Sequence, residues 1–201
     1  MADGRRRTRN GERRGAADAE GTRERIMDAA QRLFAEGGFD ATSTASVAAA
    51  AAVPTGLVFY YFPTKRDLLM SVVRERAYQG SLPQVIAVGG AQTPEQILRQ
   101  AVEELARVFN RNRDTQVILF REAHTDAEIQ ELASRLVASS TGDLADLMAA
   151  LPGARADAGA RAAAARLVVS GLLMDNFLQP RGVDPARFEP MVRLLADAVC
   201  D

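Results

Sequence analysis

The chain lacks most of what covalent catalysis and metal chemistry draw on. It has one histidine, His124, so no Ser-His-Asp or Cys-His arrangement has support and no histidine cluster offers a metal site. Its one cysteine, Cys200, excludes an intrachain disulfide and a cysteine metal cluster, and suits a reducing cytoplasm. No apolar run approaches the ~20 residues needed to cross a bilayer, so no membrane span is expected. The arginine-rich start is followed by no apolar stretch, which is not the build of a signal peptide. An enzyme, a cofactor and a bound metal are therefore not expected. Lysine is nearly missing as well: of 25 basic residues only Lys65 is lysine, and the heavy use of alanine and arginine resembles that of a GC-rich bacterial genome.

What remains is ordinary globular composition, 47% apolar and 25% charged over 201 residues, enough for one large or two small domains with a real core. The net charge of −1 conceals a split. Residues 1–78 carry 13 basic and 10 acidic side chains, and residues 79–201 carry 12 basic and 16 acidic. The positive excess lies in the first part, though it is mild.

Periodicity predicts helices throughout and no strand. Residues 1–20 hold six arginines (Arg5, Arg6, Arg7, Arg9, Arg13, Arg14) among glycine, alanine and aspartate, and nothing there can form a core. They are expected to be a disordered basic arm, either a solvated tail or a segment that reaches DNA backbone or minor groove. Thr22–Glu36 reads as a helix with Ile26, Ala29, Ala30, Leu33 and Phe34 on one face, ended by Gly37-Gly38, with Phe39 packing back beneath it. Further helices are predicted at 65–78, 94–110, 115–124, 126–151, 156–178 and 185–199. Residues 79–93 are expected as a loop at a domain boundary. Thr93 is placed as cap and Pro94 as first residue of its helix, and Gly142 is where the 126–151 helix can bend.

The stretch that organises the chain is Thr42–Leu69. Ser43 or Thr44 can cap a short helix whose apolar face is Val47, Ala48 and Ala51. Pro54 stops it, and Gly56, Leu57 and the run Phe59-Tyr60-Tyr61-Phe62 make a second helix of barely two turns. Thr64 with Asp67 three residues on is a capping-box-like start for the next helix. Helices this short need neighbours to hold them. Two tyrosine hydroxyls, an entering threonine and a following lysine suit phosphate contacts beside a groove, the arrangement of a helix-turn-helix.

Helix one followed by Gly56-x-x-Phe59-Tyr60-Tyr61-Phe62-x-x-Lys65-x-x-Leu68 closely resembles the TetR family of bacterial transcriptional regulators over roughly residues 22–70. The resemblance implies an all-α protein of about nine helices: an N-terminal three-helix helix-turn-helix domain at 21–66, and a C-terminal helical ligand-binding and dimerisation domain at 67–201. It implies DNA contacts from Ser43, Thr44, Thr55, Gly56, Leu57, Phe59 and Tyr60, with Tyr61 and Lys65 mainly on phosphates, whereas Val47, Val53 and Phe62 read as core. Core packing is the other reading of Phe59-Tyr60-Tyr61. Three residues depart from the family pattern: Ala52 stands where the turn glycine is usual, Ala45 replaces a commonly polar residue, and Phe59 replaces a common tyrosine. Alanine at Ala52 is costly if the turn needs φ > 0 there.

For the second domain, polar residues set in apolar helices and nearby large side chains are the pocket candidates: Phe109, Phe120, Glu122, His124, Met148, Met174, Asp175 and Phe177. The apolar ones are equally readable as core, and His124 as a helix-end histidine. A buried carboxylate at Glu122 or Asp175 needs a partner, either Arg121 or Arg166 or a ligand. The last two helices, about 156–179 and 185–199, are more apolar than a terminal pair needs. By resemblance they pair with a second chain, with the small residues Ala162 to Ala165, Ser170 and Gly171 allowing close approach. The function implied is a cytoplasmic, homodimeric regulator with repression as the family's usual output, released from operator DNA by a small apolar or amphipathic effector. The alternative is a helical ligand-binding or interaction protein whose DNA head is degenerate.

Overall fold

The computed structural model describes residues 4–77 and 92–200. Among the described residues there are nine α-helices, one 3-10 turn and no strand: α1 Gly4–Gly37, α2 Thr44–Ala50, α3 Thr55–Tyr61, α4 Lys65–Ala77, α5 Pro94–Arg111, α6 Arg113–Glu122, α7 Ala127–Ala149, α8 Ala158–Leu178, the 3-10 turn Pro185–Phe188, and α9 Glu189–Cys200. The expected loop at 79–93 lies almost wholly outside the described residues. Two compact units, Met1–Val73 and Arg74–Asp201, divide within α4 rather than at residue 66.

In the first unit α1 does not open at Thr22 but runs from Gly4, so the segment expected as a disordered arm is helical from there. Arginine, alanine and glutamate there favour a helix, against which Gly11 and Gly15 count. Its packed face is the predicted one: Ile26, Ala29, Ala30 and Phe34 are buried, joined by Met27. Gly38, at φ 85°, closes the helix, and Phe39 folds back onto Phe34 with ring centroids 5.6 Å apart. Val47, Ala48, Val58, Phe62, Leu68 and Leu69 complete this core, each burial worth up to about 1.5–3 kcal/mol for the larger side chains. Val53 is only partly buried. The Thr64–Asp67 box forms in both directions: Thr64 N donates to Asp67 Oδ2 at 3.0 Å, and Asp67 N donates to Thr64 Oγ1 at 3.0 Å.

The second unit is built on α5, whose buried face includes Ile97, Leu98, Ala101, Val102, Leu105 and Phe109. Thr93 caps it in a box with Gln96, and Pro94 takes the first position, as the sequence predicts. Helices α7 and α8 pack together, and α9 packs on α5. Gly142 produces no break in α7. The final element is not one helix: Asp184 caps the 3-10 turn, whose Phe188 is buried before α9 begins. Gly171 lies against this turn, since a Cβ there would sit 3.0 Å from Phe188 Cε1. Its small size thus serves packing within the chain. Helix α8 has a second apolar stripe, with Leu167, Met174 and Leu178 exposed, and α9 exposes Leu194.

Candidate nucleic-acid interface and effector cavity

Ser43 is the residue that caps α2. Its Oγ accepts from Ser46 N at 2.9 Å, and Ser46 Oγ accepts from Ser43 N at 3.1 Å, so a serine performs the return bond that glutamate usually makes. Thr44 is the first helical residue. The chain turns by 104° between α2 and α3, inside the 90–120° range of helix-turn-helix pairs. The turn is a complete Schellman arrangement: Val53 N donates to Ala48 O at 3.0 Å and Ala52 N to Ala49 O at 3.2 Å. Ala52 sits in its left-handed position at φ 54° and is, among the described residues, the one non-glycine with positive φ. The strain expected of that alanine is therefore present.

Helix α3 presents Thr55, Gly56, Phe59 and Tyr60 to solvent, Tyr60 at 77% exposure and Phe59 at 47%, while Leu57 and Tyr61 are half-buried. Tyr60 and Tyr61 meet edge to face at 5.1 Å. The buried side of the same helix is Val58 and the following Phe62. Aromatic groups of the 59–62 run thus divide between surface and core. A Cβ at Gly56 would meet nothing within 4 Å, so packing within the chain does not require glycine there. Neither α2 nor α3 contains a charged residue.

Lys65 is placed differently from the expectation. Its Nζ donates to Phe39 O at 2.9 Å, Thr42 O at 3.1 Å and Asp40 O at 3.4 Å, and stands 4.2 Å from the Phe39 ring centroid. An ammonium has three donors, and all three are directed at the loop between α1 and α2. This cation closes the helix-turn-helix from behind.

The second unit contains a cavity of about 490 Å3 between α5, α6, α7 and α8, within the size range of small-molecule sites. Of the residues picked from the sequence, Phe109 and Phe120 line it. The other six lie elsewhere. Met148 is fully buried in the core. Met174 and Phe177 face outward, Phe177 against Phe120 with centroids 6.0 Å apart. Asp175 pairs with Arg187 at 2.9 Å, a partner supplied by the 3-10 turn rather than Arg121 or Arg166. Glu122 ends α6, where its carbonyl accepts from Thr125 and Asp126, and His124 is exposed just beyond it. The polar lining not picked as pocket from the sequence is Asn112, Gln116, Gln130, Ser134, Ser140, Thr141 and Arg166, the last named there only as a partner for a carboxylate. Gln130, Ser134, Val137 and Thr141 recur at helical spacing on α7, a signal present in the sequence. Among the described residues no cluster of metal-ligating side chains occurs, and no single helix is long and apolar enough to cross a membrane.

Residues 26–72 match the family model described as bacterial regulatory proteins, tetR family. The chain is 34% identical over 116 residues to the HTH-type transcriptional repressor KstR of Mycobacterium tuberculosis, covering 55% of this chain and 52% of that protein. It is 33% identical over 101 residues to the HTH-type transcriptional regulator HbdR of Aromatoleum sp., covering 49% and 43%. The chain thus spans about half the length of the curated relatives it matches. Solved structures agree over more of the fold. A transcriptional regulator from Rhodococcus sp. Rha1 superposes with TM-score 0.65 at 21% identity, covering 88% of this chain and 95% of that one. A TetR-like regulator from the same genus gives 0.66 at 18%, covering 87% and 93%.

Proposed function

Because this chain belongs to the TetR family of bacterial regulatory proteins, we propose that it is a homodimeric repressor that binds operator DNA through α2 and α3 and is released by a small apolar or amphipathic effector. The observation that carries the DNA reading is the outer face of α3. It exposes Tyr60, Phe59, Thr55 and a glycine that the fold does not need. Glycine where the packing leaves room for a side chain marks a place for something else to come close. In this reading Thr55, Gly56, Leu57, Phe59 and Tyr60 meet bases and backbone, and Ser43, Thr44 and Tyr61 meet phosphates. Lys65 positions the α1–α2 loop. With no charge on α2 or α3, non-specific affinity comes from the arginines at 5–14.

Dimerisation through α8 and α9 is supported by their outward Leu167, Met174, Leu178 and Leu194, which a monomer leaves in water. A two-fold pair then places two copies of α3 about one DNA turn apart. The effector acts by population shift: it must bind the dimer geometry that mismatches the half-sites better than the one that fits them, by about 1.4 kcal/mol for each tenfold loss of operator affinity.

The test is fluorescence anisotropy on DNA from upstream of the coding region and on a scrambled control, across a salt series. Selective binding by a dimer is expected, with Gly56→Ala weakening it at undiminished thermal stability. A protein that binds neither DNA, and selects no sequence from a random pool, has a head that no longer reads DNA, and the C-terminal unit is then a ligand-binding domain alone.

A further inference from the structure

The cavity of the second unit is electrostatically one-sided. Its single charged lining residue among the described residues is Arg166, and no carboxylate lines it. Arg166, Val169 and Leu173 stand at i, i+3 and i+7 of α8, so they share the face that looks into the cavity. The guanidinium is exposed at the rim and makes no hydrogen bond or ion pair among the described residues. That differs from the arginines nearby, since Arg113 donates to Gln179 O at 3.1 Å and Arg187 pairs with Asp175.

Two further groups can donate hydrogen bonds to a ligand. Gln116 has its Oε1 occupied by the Nδ2 of Asn176, a side chain only 1% exposed, so what Gln116 can still offer is its NH2. Thr141, 9% exposed, lines the cavity with a hydroxyl that makes no hydrogen bond among the described residues. Most of the remaining wall is apolar, with Val108, Leu119, Phe120 and Val137 among its members, and Asn112, Gln130, Ser134 and Ser140 are its other polar residues.

We propose that the effector is an amphipathic carboxylate, its apolar body against α5 and α6 and its carboxylate on Arg166. The inference rests on the reading of this cavity as the effector site and adds the ligand's charge. A guanidinium presents parallel N–H groups that match a carboxylate two to two. A quaternary ammonium, by contrast, finds no anion in the lining and meets a like charge at the rim. A neutral alcohol of the same length keeps the apolar contacts and loses the ion pair.

The experiment measures binding of decanoate, decan-1-ol and decyltrimethylammonium, each below its aggregation concentration, to the full chain by calorimetry. Arg166→Gln, Arg166→Lys and Ala133→Phe are measured alongside; Arg166 is exposed, so its variants keep the fold. Decanoate is expected to bind the native chain at least tenfold tighter than decanol, with decyltrimethylammonium weakest. Arg166→Gln brings decanoate to the level of decanol, Arg166→Lys retains part of the difference, and Ala133→Phe, which fills the cavity, removes binding of both. Equal binding of acid and alcohol, preference for the cation, failure of decanoate to bind, or decanoate affinity untouched by Arg166→Gln or by Ala133→Phe overturns the proposal. Operator release is read separately on the same protein. A neutral ligand that binds in the cavity and releases DNA leaves the effector site standing and removes only the carboxylate.

Discussion

Replacing Ala52 with glycine should stabilise the first unit. At φ 54° this residue holds the left-handed position of the Schellman turn between α2 and α3, where a Cβ crowds the following carbonyl. The penalty for a non-glycine L-residue there is roughly 1–2 kcal/mol. Glycine removes it but takes back about 0.5–1 kcal/mol through the larger freedom of the unfolded chain. The Ala52 methyl is exposed, so no packing is lost. The net expectation is a gain of about 0.5–1 kcal/mol, or about 3–6 °C for a unit of this size. Urea unfolding of the full chain followed by tyrosine fluorescence reads it, since Tyr60 and Tyr61, two of the three tyrosines, lie in this unit and no tryptophan competes. The midpoint should rise with unchanged slope. Asparagine, which tolerates this conformation, should fall between alanine and glycine, and valine should be worse than alanine. A midpoint lowered by glycine, or valine as good as alanine, would show that the turn does not store this strain.

Three further outcomes are expected. Lys65→Ala should cost the first unit about 1–3 kcal/mol, because three carbonyls lose a charged donor, and Lys65→Arg should not restore it, since a planar fork does not fit three converging carbonyls. An unchanged urea midpoint with a shallower salt slope of DNA binding would return this residue to phosphate contact. Gly182→Ala drives a Cβ into Asn110 Oδ1 at φ 79°, whereas Gly153→Ala has the same φ and open space. The second should therefore cost only the backbone penalty of about 1–2 kcal/mol and the first clearly more by thermal unfolding; equal costs refute the clash. Leu167→Asp with Leu194→Asp should yield a folded monomer by light scattering, with operator affinity lost, whereas a variant that stays dimeric places the interface on another face.

The parts of the fold legible in the sequence were those with local causes. The serine, threonine and proline signals at Ser43, Thr64 and Thr93-Pro94 act over three or four residues, and each cap formed as written. Apolar periodicity located the buried faces of α1 and α5 for the same reason. Ligand-site residues depended on which way a doubly apolar helix turns. Met174 and Phe177 looked inward by composition, yet α8 buries the face of Val168, Val169 and Leu172 and leaves those two outside. Asp175 likewise looked unpaired because its partner, Arg187, arrives from twelve residues away across a turn. Lys65 shows a different limit: spacing identified an important cation, but the direction of a four-carbon side chain depends on carbonyls of a loop more than twenty residues earlier.

That same residue gives the protein an unusual chemical profile. Every other basic side chain is a guanidinium, so Lys65 carries the only ε-amine available to an acylating reagent or an acetyl donor. Held by three carbonyls, that amine is shielded from such a reagent and is exposed to it only when the α1–α2 loop lets go. The rate of acylation at this one atom therefore acts as a clock for local opening behind the recognition helix. An acetyl group captured there would abolish the charge and leave the three loop carbonyls without their shared donor.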